Sequence, residues 1–371
     1  MGTKNQLGIR VATSFLLAAV AVACSNTGSK DGSATKESKE SSSIEGERGP
    51  ATDPTTLPVS LAFAGGFVPR NAPHGGFGGG SCAPSSGRTP VVFIHGNGDL
   101  ADNWAARASD GGPSVIQQFK AAGYTDCDLF AITFLSENER EHPLNVFHTT
   151  VRQRLISDFV EDVLAYTKAR RVDVISHSLG VTMSQQAFTS AQSWPKVRRF
   201  VAIAGAMRGI QVCLLAGPYN QSMLTCASQN PLDDNRFGFF PKELANPKMG
   251  TGASSFANLP KLHPTTRFYS IRAGLNDEIV CAAPAIAKDK CALSSMYEPA
   301  GNVRSQLDVG FGSTAPEDFD PNRKTLESGG DRDGIGHMRA KTDTGLLQVN
   351  MLTRECSAKG CCTGYSKKCE R

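Results

Sequence analysis

The first feature of this chain that could perform chemistry is a serine in a motif of small residues. The apolar, β-branched segment Val172–Ile175 leads into Ser176-His-Ser178-Leu-Gly180, and a helical pattern begins at once. A strand, a tight turn and a helix in that order form a nucleophile elbow, which raises the central hydroxyl out of the strand end. Residue 176 is serine where the G-x-S-x-G pattern has glycine, one small residue for another. Ser178 is therefore the candidate nucleophile.

A serine hydroxyl needs a base within hydrogen-bond distance, and the base needs an acid that fixes its tautomer. Where such an elbow occurs, the acid and then the histidine follow the serine along the chain. Two of the seven histidines, His263 and His337, lie beyond the elbow helix. His337 lies in the glycine-rich segment 333–337, directly before the last helical pattern, and we predict that it is the base.

A candidate acid follows the predicted strand 267–272. Asp277 comes after that strand through a short turn, which places its carboxylate at the same sheet edge as Ser178. Glu278 is the nearest rival and Asp308 a weaker one, and a structural interpretation makes Asp277 a turn cap. Asp331, close to the base, is predicted together with Asp333 to be a solvated turn residue rather than part of a cation site.

The negative charge of a tetrahedral intermediate needs two main-chain N–H donors. Leu179, directly after the nucleophile, supplies one, and we predict that Asn97 supplies the other. Asn97 lies in a glycine-containing loop after the apolar run 89–94. We expect His95 to form hydrogen bonds within this loop, and His177 to pack beside the elbow.

Short apolar runs alternate with amphipathic segments along the chain. The runs at 89–94, 128–134, 172–175, 197–204 and 267–272 are typical of buried strands, whereas 151–169, 179–188 and 344–353 follow a helical period. This alternation predicts an α/β fold, with a mostly parallel sheet covered by helices on both faces. Residues 205–265 are rich in Gly, Pro, Asn and Ser, and we expect a long irregular insert there, the usual place for a lid or substrate-binding segment.

The two ends of the chain predict an exported protein. Residues 1–24 combine Lys4 and Arg10 with an apolar stretch that ends in a lipobox-like Ala-Val-Ala-Cys24. We expect a signal peptide with lipidation of Cys24, which gives a cell-surface or outer-membrane lipoprotein; cleavage near Ala23 and secretion is the alternative. Residues 25–56 are predicted to be a flexible low-complexity linker, and 57–371 one catalytic domain with a cysteine-rich tail at about 354–371.

Charge and cysteine content exclude other classes of protein. The net charge is +4 with no basic run, so we expect no nucleic-acid partner. We also predict a monomer. Eleven cysteines leave ten after Cys24, which in an exported protein predicts a disulfide framework. The local pairs suggested by spacing are Cys82–Cys127, Cys213–Cys226 and Cys281–Cys291. The adjacent Cys361 and Cys362 fit zinc-ligand spacing poorly, and we expect neither a metal nor a cofactor.

Three motifs carry a family resemblance. Phe93-Ile-His-Gly-Asn-Gly-Asp99, the elbow 176–180 and Gly334-Ile-Gly-His337 resemble class 2 bacterial lipases of the α/β-hydrolase superfamily. Longer segments, at 197–205, 225–230, 237–241 and 337–345, resemble extracellular poly(3-hydroxybutyrate) depolymerases that attack amorphous polymer. The resemblance implies the α/β-hydrolase fold, the same roles for the five candidate residues, and an ester substrate in polymer or lipid.

These observations leave three functions open. The first is a serine-dependent carboxylic ester hydrolase of the depolymerase type, attached to the membrane by its lipid anchor. The second is a lipase or esterase for glycerides or other small esters. It is favoured because 6 Tyr and 2 Trp provide few aromatic side chains for a surface that docks on a polymer. The third is a catalytically silent surface binding protein that has kept the fold.

Overall fold

A computed structural model describes residues 53–81, 87–146, 148–210, 222, 224–226, 262–281, 291–312 and 330–354. The predicted signal peptide, Cys24, most of the linker and insert, and the cysteine-rich tail lie outside the described residues. The last predicted linker residues do fall within them, and Pro54–Thr56 forms a 3-10 turn.

The described strands form one sheet of seven. They are β1 (Gly76–Phe77), β2 (Val91–Ile94), β3 (Leu129–Ile132), β4 (Val172–His177), β5 (Val197–Ile203), β6 (Arg267–Arg272) and β7 (Val303–Asp308). Their order is β1-β3-β2-β4-β5-β6-β7. β1 pairs antiparallel to β3, and all other neighbours are parallel. The predicted α/β fold is confirmed, and β4 lies at the centre of the sheet.

Helices cover both faces of this sheet. The described ones are α1 (Val115–Ala121), α2 (Glu137–Glu141), α3 (Thr150–Thr167), α4 (Leu179–Ser190), α5 (Gly330–Asp333), α6 (Arg339–Thr342) and α7 (Gly345–Thr353). α3, α4 and α7 are the three helices that the sequence periodicity predicts. Within the described part of the chain, no helix is both long and apolar enough to span a bilayer.

The central strands are buried on both faces because alternate side chains enter two different cores. Val92 and Val174 pack with α3 and α4 in one core. Phe93 and Ile175 pack with α1 and α7 in the other. Strands buried on both faces have apolar runs without alternation, which is the pattern of β2. β4 is also buried throughout but includes Asp173, whose carboxylate pairs with Arg198. The two cores hold the carboxyl ends of the parallel strands in a fixed position, and the candidate residues lie at these ends.

One predicted disulfide is observed. Cys281 and Cys291 are bonded with their Cα atoms 5.2 Å apart. Cys127 and Cys226 also take part in disulfides. The predicted pairs Cys82–Cys127 and Cys213–Cys226 each include a residue outside the described part, so these pairings stay predictions.

Candidate active site

Ser178 stands at the tight turn between β4 and α4. Its backbone has φ 52° and ψ −123°, a left-handed conformation that costs energy for a residue with a side chain. The turn is held because Ser178 N–H donates to the Ile203 carbonyl on β5 at 2.9 Å. Gly180 is required, since a Cβ there would overlap the main-chain oxygen of His95. The sequence thus folds into the elbow that presents the Ser178 hydroxyl at the sheet edge.

The predicted base and acid lie in line with this hydroxyl. His337 Nε2 is 2.9 Å from Ser178 Oγ. On the other side of the ring, His337 Nδ1 is 2.8 Å from Asp277 Oδ1. Because a carboxylate only accepts, Nδ1 carries the proton and Nε2 is left to accept the serine proton. The three side chains are 8%, 2% and 3% exposed for Ser178, Asp277 and His337, so the relay is almost free of water.

Asp277 is held in place by its own turn. β6 ends at Arg272, the 3-10 turn Gly274–Asn276 follows, and Asp277 caps it. Asp277 Oδ1 accepts main-chain N–H groups from Ile279 at 3.1 Å and Val280 at 2.8 Å. Asp277 therefore does cap a turn, as the structural interpretation held, and the same oxygen also orients the His337 ring.

The loop after β2 lies directly against the nucleophile. A Cβ on Gly96 would lie 3.0 Å from Ser178 Cβ and 2.9 Å from His177 Nδ1, so only glycine lets the loop approach this closely. The Asn97 side chain donates from Nδ2 to the Pro143 carbonyl at 2.9 Å, which fixes the loop against the segment after α2. Leu179 begins α4 and is fully buried. The loop that contains Asn97 thus lies beside Ser178, and the roles of Asn97 and Leu179 as oxyanion donors stay predictions.

Two further histidines support the site and stay neutral. His95 Nδ1–H donates to the Gly96 carbonyl at 2.8 Å, and Nε2 accepts the Phe134 N–H at 3.1 Å, as its predicted structural role requires. Burial lowers the pKa of His95 to about 4. His177 does more than the predicted packing, because its Nε2–H donates to the main-chain carbonyl of His337 at 3.1 Å. Burial lowers the pKa of His177 well below its ordinary value.

A pair of carboxyl groups holds the segment that carries the base. Glu278 Oε2 accepts the His337 N–H at 2.9 Å, so this rival acid touches the main chain of the base and not its ring. Asp331 is 2% exposed and accepts three main-chain N–H groups of the same segment. The expectation of a solvated turn at Asp331 is wrong, because these N–H groups would otherwise be buried without acceptors.

A buried ion pair connects the loop beside Ser178 to the helix that follows His337. Lys341 Nζ on α6 lies 2.6 Å from Asp99 Oδ2 in the loop after β2, and the side chains are 1% and 2% exposed. The Lys341 ammonium also lies 5.3 Å from the centre of the Trp104 ring. Nothing in the local sequence marks this pair, whose members are 242 positions apart.

The other rivals lie outside this cluster. The exposed side chain of Asp308 pairs with Arg272 at 3.8 Å and accepts the Gly310 N–H. His263 interacts with Thr265 in its own turn, at 3.0 Å. Among the described residues, no group of three or more His, Cys, Asp or Glu side chains is arranged to hold a metal ion.

The arrangement can activate a hydroxyl. An imidazole that carries its proton on Nδ1 can accept the Ser178 proton at Nε2, and a buried carboxylate stabilises the resulting imidazolium. This is the geometry of acyl transfer through a covalent acyl-enzyme.

Comparisons with known proteins find similarity to lipases and esterases. The model of the class 2 lipase family matches residues 88–239, which include the loop after β2 and the elbow. Mature Bacillus licheniformis lipase BlEst2 is 18% identical, with 52% of this chain and 68% of that chain covered and a TM-score of 0.34. Aspergillus fumigatus lipase B is 15% identical, with 69% and 55% covered and a TM-score of 0.35. Bacillus subtilis naproxen esterase is 12% identical, with 50% and 66% covered and a TM-score of 0.26.

Proposed function

We propose that this chain, a carboxylic ester hydrolase of the class 2 lipase type, cleaves glycerides or other small esters with Ser178 as nucleophile, His337 as base and Asp277 as acid. The observation that carries the proposal is the unbroken relay from Ser178 Oγ through His337 to Asp277, at 2.9 Å and 2.8 Å. The family match supports the lipase and esterase substrate class.

The proposed reaction uses the three side chains of the relay and two main-chain donors. Ser178 Oγ attacks the ester carbonyl carbon while its proton passes to His337 Nε2. The N–H groups of Leu179 and Asn97 hold the tetrahedral oxyanion. His337 then protonates the leaving alkoxide, which departs as the alcohol and leaves an acyl-serine. Water, deprotonated by His337, attacks the acyl group and releases the acid and free Ser178.

A second candidate substrate is amorphous poly(3-hydroxybutyrate). The four segments that resemble depolymerases of this polymer favour it, and one of them, residues 337–345, begins at the base. The chemistry at the ester is the same for both substrates. The two candidates differ in whether the protein can dock on a polymer surface.

A paired assay distinguishes the substrates. Tributyrin hydrolysis and clearance of amorphous poly(3-hydroxybutyrate) granules are measured on one preparation. Cleavage of tributyrin with intact granules supports the lipase or esterase, whereas granule clearance supports the depolymerase. Ser178→Ala should abolish both activities in a folded protein. Ser184→Ala is the matched control, because its buried hydroxyl lies 3.1 Å from Ser176 Oγ and outside the relay. Full activity in Ser178→Ala would refute the assignment of the nucleophile.

The proposal also includes export and attachment through a lipid on Cys24. It rests on the lipobox-like end of the N-terminal apolar stretch. Incorporation of labelled palmitate into the wild type but not into Cys24→Ala would support it, and equal labelling of both would contradict it.

A further inference from the structure

Four consecutive main-chain N–H groups around the base converge on two carboxyl groups. Gly336 and Arg339 donate to Asp331 Oδ1 at 2.8 Å and 3.0 Å, and Met338 donates to Asp331 Oδ2 at 2.7 Å. His337 donates to Glu278 Oε2 at 2.9 Å. The segment 336–339 therefore follows a path that these two side chains dictate. Both side chains precede the base in the sequence: Glu278 directly follows Asp277, and Asp331 lies shortly before His337.

The two carboxyl groups lie side by side, because they accept the adjacent N–H groups of Gly336 and His337. A side-chain hydrogen bond to Asp331 is one of the causes that raise the pKa of the Glu278 carboxyl. Ionised carboxylate oxygens only accept hydrogen bonds, so one of the two groups must carry a proton for this bond to exist. Both Asp331 oxygens already accept main-chain N–H groups, so we place the proton of this bond on Glu278.

The surroundings of Glu278 favour the protonated form. Burial, and then the negative charges of Asp331 and Asp277, raise the pKa of the Glu278 carboxyl well above its ordinary value. The N–H of His337 acts in the opposite direction. The titratable groups that face Glu278 are thus Asp331 on α5, Asp277 on its own turn and His337 on the base segment.

Close approach of Glu278 to the base segment requires the glycine before His337. A Cβ on Gly336 would overlap Glu278 Oε2 and would lie 2.7 Å from the Asp331 main-chain nitrogen and 2.9 Å from the Asn276 oxygen. The His337 main chain is therefore held at its N–H by Glu278 and at its carbonyl by His177.

We infer that Glu278 and Asp331 are a proton-sharing positioning pair that holds His337 in line with Ser178, and that activity falls when the pair loses its shared proton at alkaline pH. This inference rests on the proposed function, since it needs a base that activates Ser178. Two carboxylates repel each other and cannot bond, so loss of the proton releases Glu278 from Asp331 and loosens the base segment. A small displacement of a catalytic group reduces the rate by up to about 100-fold.

The test measures how fast a fluorophosphonate probe labels Ser178 in the full chain, from acidic to alkaline pH. In the wild type we expect the rate to fall at alkaline pH, where the pair loses its shared proton. In Glu278→Gln we expect no such fall, because an amide accepts from the His337 N–H, donates to Asp331 and does not titrate. In Glu278→Leu, which offers no acceptor, we expect slower labelling at every pH, by up to about 100-fold.

Glu161→Gln is the matched control, since Glu161 pairs with Lys196 on the surface, and its pH profile should equal that of the wild type. Thermal melts show which variants fold. If Glu278→Leu does not fold, the pH profile of Glu278→Gln alone tests the inference. An alkaline fall that persists in Glu278→Gln, or that the wild type lacks, overturns the inference. A wild type that the probe labels but that cleaves no ester contradicts only the proposed substrates. A wild type that the probe does not label overturns both proposals.

Discussion

The nucleophile and the base of this site are held by different means. Ser178 is held by main-chain geometry within β4, β5 and α4, through its positive φ, its bond to Ile203 and the close approach at Gly180. His337 is held by side chains, from Asp277 on the ring, Glu278 on the N–H and His177 on the carbonyl. The nucleophile therefore has a local sequence motif, whereas the position of the base depends on residues far away in the chain.

The largest expected effect comes from breaking the contact that orients the base ring. In Asp277→Asn, the amide no longer stabilises the imidazolium and can present an N–H to Nδ1, which favours the wrong tautomer. We expect kcat to fall by about 10⁴-fold with the fold intact, as for the equivalent change in a serine protease triad. Asp308→Asn, at the same sheet edge, should stay within about tenfold of the wild type, and an equal loss in both variants would contradict the assignment.

The next prediction tests the buried ion pair between Lys341 and Asp99. Although burial opposes it, the Lys341 ammonium lowers the pKa of Asp99, and the pair connects the loop beside the nucleophile to the helix after the base. Lys341→Met would leave the Asp99 carboxylate buried without its cation. We expect the free energy of unfolding to fall by about 3–5 kcal/mol in a denaturant titration.

Lys196→Met is the control for this change, because Lys196 forms a partly exposed pair with Glu161 that should contribute at most about 1 kcal/mol. Similar losses of unfolding free energy in Lys341→Met and Lys196→Met would show that burial does not increase the cost of removing the cation.

A smaller effect is expected from one methyl group on the nucleophile side. In Gly180→Ala the new Cβ would overlap the His95 carbonyl and lie 2.9 Å from that of Ile94, both main-chain atoms that cannot rotate away. We expect about 1–3 kcal/mol of destabilisation together with slower labelling of Ser178. Gly301→Ala is the control, since nothing lies within 4 Å of its Cβ position. If Gly180→Ala matches the wild type in both measurements, then α4 can move away from the main chain of residues 94 and 95 without loss of stability or reactivity.

The difference between local and long-range contacts also explains which features could be predicted from the sequence. The fold was predictable because β2 is an apolar run buried on both faces, β4 carries β-branched residues before the elbow, and α3 repeats its apolar residues every four positions. The sequence order also placed Ser178, Asp277 and His337, which the structure brings within hydrogen-bond distance. In each case the signal lies within one segment of the chain.

The supporting residues could not be predicted in this way. Asp331 looks like a turn residue in the sequence, and only the path of the base segment shows that it is buried. Glu278 was weighed as an acid for the ring because adjacent carboxylates look alike in a sequence. Lys341 and Asp99 meet only when the sheet and both helix layers are assembled. Such contacts depend on tertiary packing and leave no periodic or local pattern.

The last comparison distinguishes the surroundings of Ser178 from those of His337 by their response to pH. The nucleophile side is surrounded by buried neutral histidines: burial lowers the pKa of His95 to about 4 and that of His148 to about 3. His148 Nε2 lies 2.7 Å from Thr182 Oγ1 on the elbow helix. The base side instead contains Glu278, whose pKa is raised. Acid should therefore destabilise the surroundings of the nucleophile, and alkali those of the base.

The sign follows from the protons bound in each state. Below a pH of about 6.5 the unfolded chain protonates His95, His148 and His177 while the folded chain keeps them neutral, so stability is lost as pH falls toward their folded-state pKa values. Each unit of pKa difference corresponds to about 1.4 kcal/mol. We expect the unfolding free energy of His148→Gln to fall less steeply with acid than that of the wild type. The exposed His74→Gln should retain the wild-type slope, and an unchanged slope in His148→Gln would mean that acid acts elsewhere in the molecule.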